Sequence, residues 1–92
     1  MYFVYLIISK YKDRFISYVG HTNDIKKRLL LHNNGKGAKF TRGRLWKLIY
    51  LKKYENKKTA LKEEYRLKKN YKLRKEIKSR YINNENFSSF TL

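Results

Sequence analysis

Ninety-two residues make one domain with one modest core, since a chain of this length buries only roughly 60–65% of its extended surface. The composition, 41% hydrophobic and 34% charged, reads as soluble and globular, and the lack of cysteine excludes a disulfide framework, a thiolate metal site and a cysteine nucleophile. Twenty-four Lys and Arg against seven Asp and Glu give a net charge of +17, and the self-repulsion this creates is relieved by a polyanion, nucleic acid first and an anionic membrane surface second.

The apolar run Tyr2 to Ile8 is β-branched or aromatic throughout, which predicts a strand covered on both faces and not a signal peptide. "SKYKDR" follows as a polar turn, and Phe15 to Val19 resumes strand character, so the two runs predict an antiparallel hairpin with a longish loop. Thr22 or Asn23 suits the N-cap of a helix that continues to Asn33, with Asn34-Gly35 as its stop. "GKGAKFTRGR", Gly35 to Arg44, is a basic loop, and Trp46 to Leu51 reads as a third strand. Asn56 suits the cap of a second helix to Lys69, Asn70 marks a break, and "YKLRKEIKSRY" gives a third helix ending near Tyr81. Residues 82–92 form a tail in which Phe87, Phe90 and Leu92 are candidates to dock on the body. The expectation is an α+β domain over residues 1–81, a small three-stranded antiparallel sheet flanked by three helices in the order ββαβαα. No apolar run approaches the roughly 18 residues needed to span a bilayer, and the basic residues are interleaved with aromatics, so nucleic acid is expected as partner and a membrane is not.

On a helical wheel Ile25, Arg28, Leu29 and His32 fall within one arc. With Ile25 and Leu29 facing the sheet, Arg28 and His32 lie beside the core. They read either as a pre-aimed cation with a companion or as a snorkelling arginine and a partly buried histidine. On the second helix Ala60, Leu61, Glu64, Tyr65, Leu67 and Lys68 share one side, with Glu64 near its middle and Glu63 pointing out. A carboxylate so placed needs compensation, from a metal ion, a functional cleft, or an i,i+4 pair with Lys68. Lys36, Lys39, Arg42 and Arg44 in the glycine-punctuated loop are candidates for phosphate contacts, together with Lys68 and the basic residues Lys72, Arg74, Lys75, Lys78 and Arg80 of the third helix.

"FVY" at Phe3 to Tyr5, "YVG" at Tyr18 to Gly20, Arg28 and His32 on the next helix and Glu64 on a later one together resemble the GIY-YIG nuclease family, and "HNNGKGAKFTRGR" and "ALKEEYRLKK" look like its small stand-alone branch. The resemblance implies that Tyr5 and Tyr18 stand close together on adjacent strands. It implies that Arg28 binds the scissile phosphate, that Glu64 holds one divalent metal, Mg²⁺ or Mn²⁺, and that His32 completes the catalytic set. Phe3 stands where the family motif has glycine. Tyr5 and Tyr18 are thirteen positions apart, which places extra residues in the hairpin loop. His21 takes the place of a lysine found in some relatives and reads more as an exposed loop residue than as a proton acceptor. The expected activity is metal-dependent endonuclease cleavage of single-stranded or branched DNA by a cytoplasmic monomer, alone or with an accessory protein. The alternative is a non-catalytic basic nucleic-acid-binding module on the same fold.

Overall fold

The computed structural model describes residues 1–84, so the expectations for Phe87, Phe90 and Leu92 lie outside the described residues. The chain runs β1 (Tyr2–Tyr11), β2 (Arg14–Thr22), α1 (Ile25–Asn33), a 3₁₀ turn at Lys39–Thr41, β3 (Lys47–Tyr54), α2 (Lys57–Lys69) and α3 (Tyr71–Asn84). One antiparallel sheet of order β2-β1-β3 carries helices on both faces, the α+β fold with ββαβαα order that the sequence predicts.

The central strand organises everything else. Val4 to Ile8 are all buried, and the twofold alternation of strand side chains divides them between two layers. Val4 and Leu6 join Val19, Ala60 and Leu67, with Tyr50, Tyr54, Leu73 and Ile77 packed against them, so this face holds α2 and α3. Tyr5 and Ile7 join Trp46, with Tyr18, Ile25, Leu29 and Leu48, so the opposite face holds α1. A bulge in β3 shifts the register between Leu6 and Ile7 and turns Ile49 and Tyr50 together toward the α2/α3 layer.

Four expectations change. The hairpin has no long loop: β1 and β2 pair out to Tyr11 and Arg14, and only Lys12-Asp13 connect them. The extra residues between the two tyrosines therefore lengthen the strands. The cap of α1 is Asp24, whose carboxylate accepts the Lys27 N–H, while Thr22 accepts the Asp24 N–H one step earlier. Leu61 and Tyr65 are exposed, so the buried stripe of α2 is the narrower one of Ala60 and Leu67. Asn56 caps α2 as expected, and Asn70 ends it and caps α3 through the Leu73 N–H. The third helix runs to Asn84, three residues past Tyr81. Among the described residues no helix is long and apolar enough to cross a membrane.

The two-residue turn forces Lys12 to φ 56°, in the left-handed region that a Cβ disfavours. Lys12→Gly is expected to stabilise the domain by roughly 0.5–1 kcal/mol, the relief of that strain less the added entropy of the unfolded chain. The corresponding rise in Tm is about 2–8 °C. Thermal denaturation checks it, and a lowered Tm would place the turn's stability elsewhere than in its backbone conformation.

Candidate functional site

Tyr5 of β1 pairs directly with Gly20 of β2, and its ring lies over that glycine. A Cβ at Gly20 would fall inside the Tyr5 hydroxyl, so the glycine of "YVG" clears space for the opposite tyrosine within a continuous strand. From there the Tyr5 hydroxyl reaches His32 of α1, 2.8 Å from Nε2, and His32 Nδ1 lies 2.8 Å from the Thr41 hydroxyl in the 3₁₀ turn. All three residues are buried, His32 to 0% exposure. Gly37 packs against the His32 ring so closely that a Cβ there would overlap it.

The hydrogen-bond pattern sets the direction of this chain. The Thr41 hydroxyl donates to the Ala38 carbonyl at 3.0 Å and accepts the Ala38 N–H at 3.1 Å. Its remaining lone pair accepts from His32 Nδ1–H, which leaves Nε2 as the acceptor for the Tyr5 O–H. Burial, reinforced by the Arg28 charge, holds His32 below its ordinary value of 6.5, consistent with a neutral ring. Burial likewise pushes the Tyr5 hydroxyl up; Arg28 opposes this, and the charges of Tyr18 and Glu64 add to it.

Arg28 of α1 places Nε 3.5 Å from the Tyr5 oxygen, long for a hydrogen bond but well aimed, and it also lies within reach of Tyr18. Tyr18 stands edge-on to His32 at 5.2 Å, stacks on Phe40 at 6.2 Å and meets Trp46 at 6.5 Å. Tyr5, Tyr18, Arg28 and His32 are thus brought together in the α1 layer.

Glu64 approaches from the other layer. It lies at one margin of the buried stripe of α2, where His21 of β2 hydrogen-bonds Oε1 and Lys68 binds Oε2 at 2.8 Å. Burial pushes its carboxyl up, but Lys68 and His21 outweigh this and hold it below 4.5, so the group is an ionised carboxylate at neutral pH. The i,i+4 pair with Lys68, one of the compensations open to a carboxylate at this position, is present. His21 is no exposed loop residue, since it belongs to β2 and is bound to Glu64. Glu63 does not point out: it occupies the other margin, pairs with Arg66 at 3.3 Å and lines a separate cleft with Tyr50 and Tyr54.

The two layers meet along the free edge of β2, where Ser17, Tyr18, Val19, Phe40, Lys68 and Arg74 line a groove of about 310 Å³. Among the described residues no group of three or more His, Cys, Asp or Glu side chains could enclose a metal. Glu64 alone, ionised and with an exposed lysine able to leave it, suits a hard cation that takes its other ligands from water and phosphate.

Lys36 and Lys39 are exposed on the loop, and Arg42 and Arg44 lie farther along it, toward the end of the hairpin. The third helix offers fewer cations than its sequence suggests. Arg74 donates to the Leu67 and Lys68 carbonyls and so caps α2, Lys78 donates to the Phe15 carbonyl, and Arg80 pairs with Glu76. Sequence reading missed Thr41 and Gly37, because nothing in "GKGAKFTRGR" marks which residues fold over a histidine some residues upstream.

A family model described as the GIY-YIG catalytic domain matches residues 1–78. A UPF0213 protein of Clostridium perfringens is 47% identical over 90% of this chain and 91% of its own length. UPF0213 proteins of Oceanobacillus iheyensis and Staphylococcus saprophyticus are 45% and 44% identical over 68% of this chain, covering 73% and 77% of their own lengths. No solved structure gives a significant match. With its two motif tyrosines on adjacent strands and its sheet and helices in the expected order, the chain belongs to the GIY-YIG catalytic domain family, a family of endonucleases that generally depend on a divalent metal.

Proposed function

We propose that this protein is a divalent-metal-dependent endonuclease that hydrolyses phosphodiester bonds in single-stranded or branched DNA, acting as a cytoplasmic monomer. The observation that carries the reading is the placement of unlike charges around the two motif tyrosines, one from each layer. The Arg28 guanidinium is aimed at the Tyr5 oxygen beside Tyr18, and the ionised Glu64 stands across β2. A module that only binds phosphate gains nothing from a carboxylate there. The Phe40 ring, exposed beside the groove along β2, favours an unpaired strand, on whose bases it can stack, over a duplex.

The water oxygen attacks phosphorus, the P–O bond breaks, and the departing oxygen takes a proton from solvent. Arg28 presents a planar fork to the phosphate oxygens as charge develops. Glu64 would hold the cation, which when bound acts as a Lewis acid on the phosphate. Tyr18 is the proposed acceptor of the water's proton. The hydrogen bonding favours a second route, because the Tyr5 O–H already points at His32 Nε2. The water proton would then pass to the Tyr5 oxygen as Tyr5 hands its own to His32.

Three outcomes test this reading. Glu64→Gln is expected to abolish DNA nicking in Mg²⁺ or Mn²⁺ while binding persists or tightens, and Glu63→Gln is expected to cut normally. Equal loss in both, or full activity in Glu64→Gln, would sink the assignment. Arg28→Lys keeps the charge but loses the fork, and its single-turnover rate is expected to fall on the order of 10²–10³-fold. A near-normal rate would return Arg28 to a packing role. The third outcome concerns pH. Because His32 titrates below 6.5 in the fold, its Nε2 remains an acceptor through that pH, and kcat/KM should stay level there and fall only in more acid solution. Tyr18→Phe retaining this profile and most of the rate would select the Tyr5–His32 route, whereas its inactivity would select Tyr18.

A further inference from the structure

Beyond the groove, on the far side of Phe40, lies a second cavity of about 400 Å³ walled by Ser9, Lys10, Tyr11, Arg42, Arg44 and Leu45. Its volume is within the roughly 300–1,000 Å³ of small-ligand clefts. The guanidinium of Arg44 lies over two aromatic rings, 4.8 Å from the centre of Tyr11 and 5.9 Å from that of Phe40. Those contacts hold its plane in one place. Its Nε is buried and has no hydrogen-bond partner, and among the described residues no carboxylate pairs with it.

A buried N–H left unmatched costs free energy, and a guanidinium cannot escape by losing its proton. Arg44 as a residue is only half-buried and none of the described ion pairs engages it, so the rest of its guanidinium is open to an anion from outside the fold, and the planar fork suits a phosphate. Phe40 identifies the source. The same ring that carries Arg44 stacks on Tyr18 and lines the β2 groove, so Phe40 links the cation of the cavity to the groove. Leu45 and Tyr11, 59% and 39% exposed, place apolar surface beside the cations.

We propose that this cavity is an outlying nucleotide subsite. Arg44, flanked by Arg42 and Lys10, holds a phosphate a few nucleotides from the one at Tyr18, and Tyr11 and Leu45 receive an unpaired base of the same strand. The subsite rests on the nucleic-acid reading of the groove and adds a length requirement to it: a strand gains affinity only when long enough to reach past Phe40.

The test is binding in EDTA, by fluorescence anisotropy, of single-stranded oligonucleotides lengthened one nucleotide at a time. The wild-type chain is expected to show a step in affinity at one length, roughly five- to twentyfold. Arg44→Gln should lack the step and bind long strands with a log–log salt slope shallower by about 0.7. Arg44→Lys should keep the slope but recover only part of the step. Tyr11→Leu, which frees the guanidinium while leaving its charge, should reduce the step, and carries the test if Arg44→Gln fails to fold. Tyr65→Leu, on the exposed side of α2, should match wild type. Absence of a step in wild type, or variants that lose affinity by one factor at every length, would overturn the subsite. Cleavage plays no part in this measurement. A step in a chain that never cuts DNA keeps the subsite and removes the nuclease reading, and cutting without a step does the reverse.

Discussion

A histidine with no exposed surface must find partners for both ring nitrogens within the fold, and His32 does so by joining three separate pieces of chain. Tyr5 comes from the central strand, His32 from α1, and Thr41 from the loop beyond. Each hydroxyl is oriented by the next, ending on the Ala38 carbonyl, so the position of the Tyr5 oxygen is fixed by a turn in a different part of the structure. Trp46 secures that turn by donating to the Thr41 carbonyl, and Asn33 grips both backbone polar groups of Trp46. Gly20 and Gly37 follow from the same requirement, since side chains there would occupy the space of the Tyr5 hydroxyl and the His32 ring. The orientation of Arg28 rests on this chain, because the atom it is aimed at is the Tyr5 oxygen.

How much of this was legible in the sequence depends on the range of the interactions involved. The continuous run Tyr2 to Ile8 announces a strand buried on both faces, and the wheel places Arg28 and His32 beside Ile25 and Leu29; both are local patterns and both hold. Asn56 and Asn70 act locally too and bound α2 where expected. The failures are long-range. The wheel gives α2 a broad apolar side, but the sheet has room for Ala60 and Leu67 only, so Leu61 and Tyr65 stay outside and the two glutamates become flanks of a narrow stripe. His21 looked like a loop residue because the length of the hairpin is decided by cross-strand pairing. Thr41 carries no signal at all, since any small hydroxyl residue reads as loop until the histidine it serves is known.

The distribution of charge has a similar lesson. Much of the basic character of α3 and the end of α2 is engaged within the fold: Arg74 with the last carbonyls of α2, Lys78 with Phe15, Arg66 and Arg80 with neighbouring glutamates. A formal +17 therefore overstates the number of cations that face a partner as free groups. The cations that remain near the aromatic loop are fewer and better positioned, which suits selective placement of a strand more than indiscriminate adhesion.

Trp46 is the sole tryptophan of the chain, and it sits where the loop, the hairpin and α1 converge, 6.2 Å from Phe40 and 6.5 Å from Tyr18. Its indole is buried and its N–H is committed to the loop backbone. The protein thus carries its own optical probe. Emission excited at the red edge of the absorption band comes from this one ring, in an apolar setting, with no label attached. Any movement of the loop that admits solvent to the indole shifts that emission, so the state of the groove can be followed in real time by light alone.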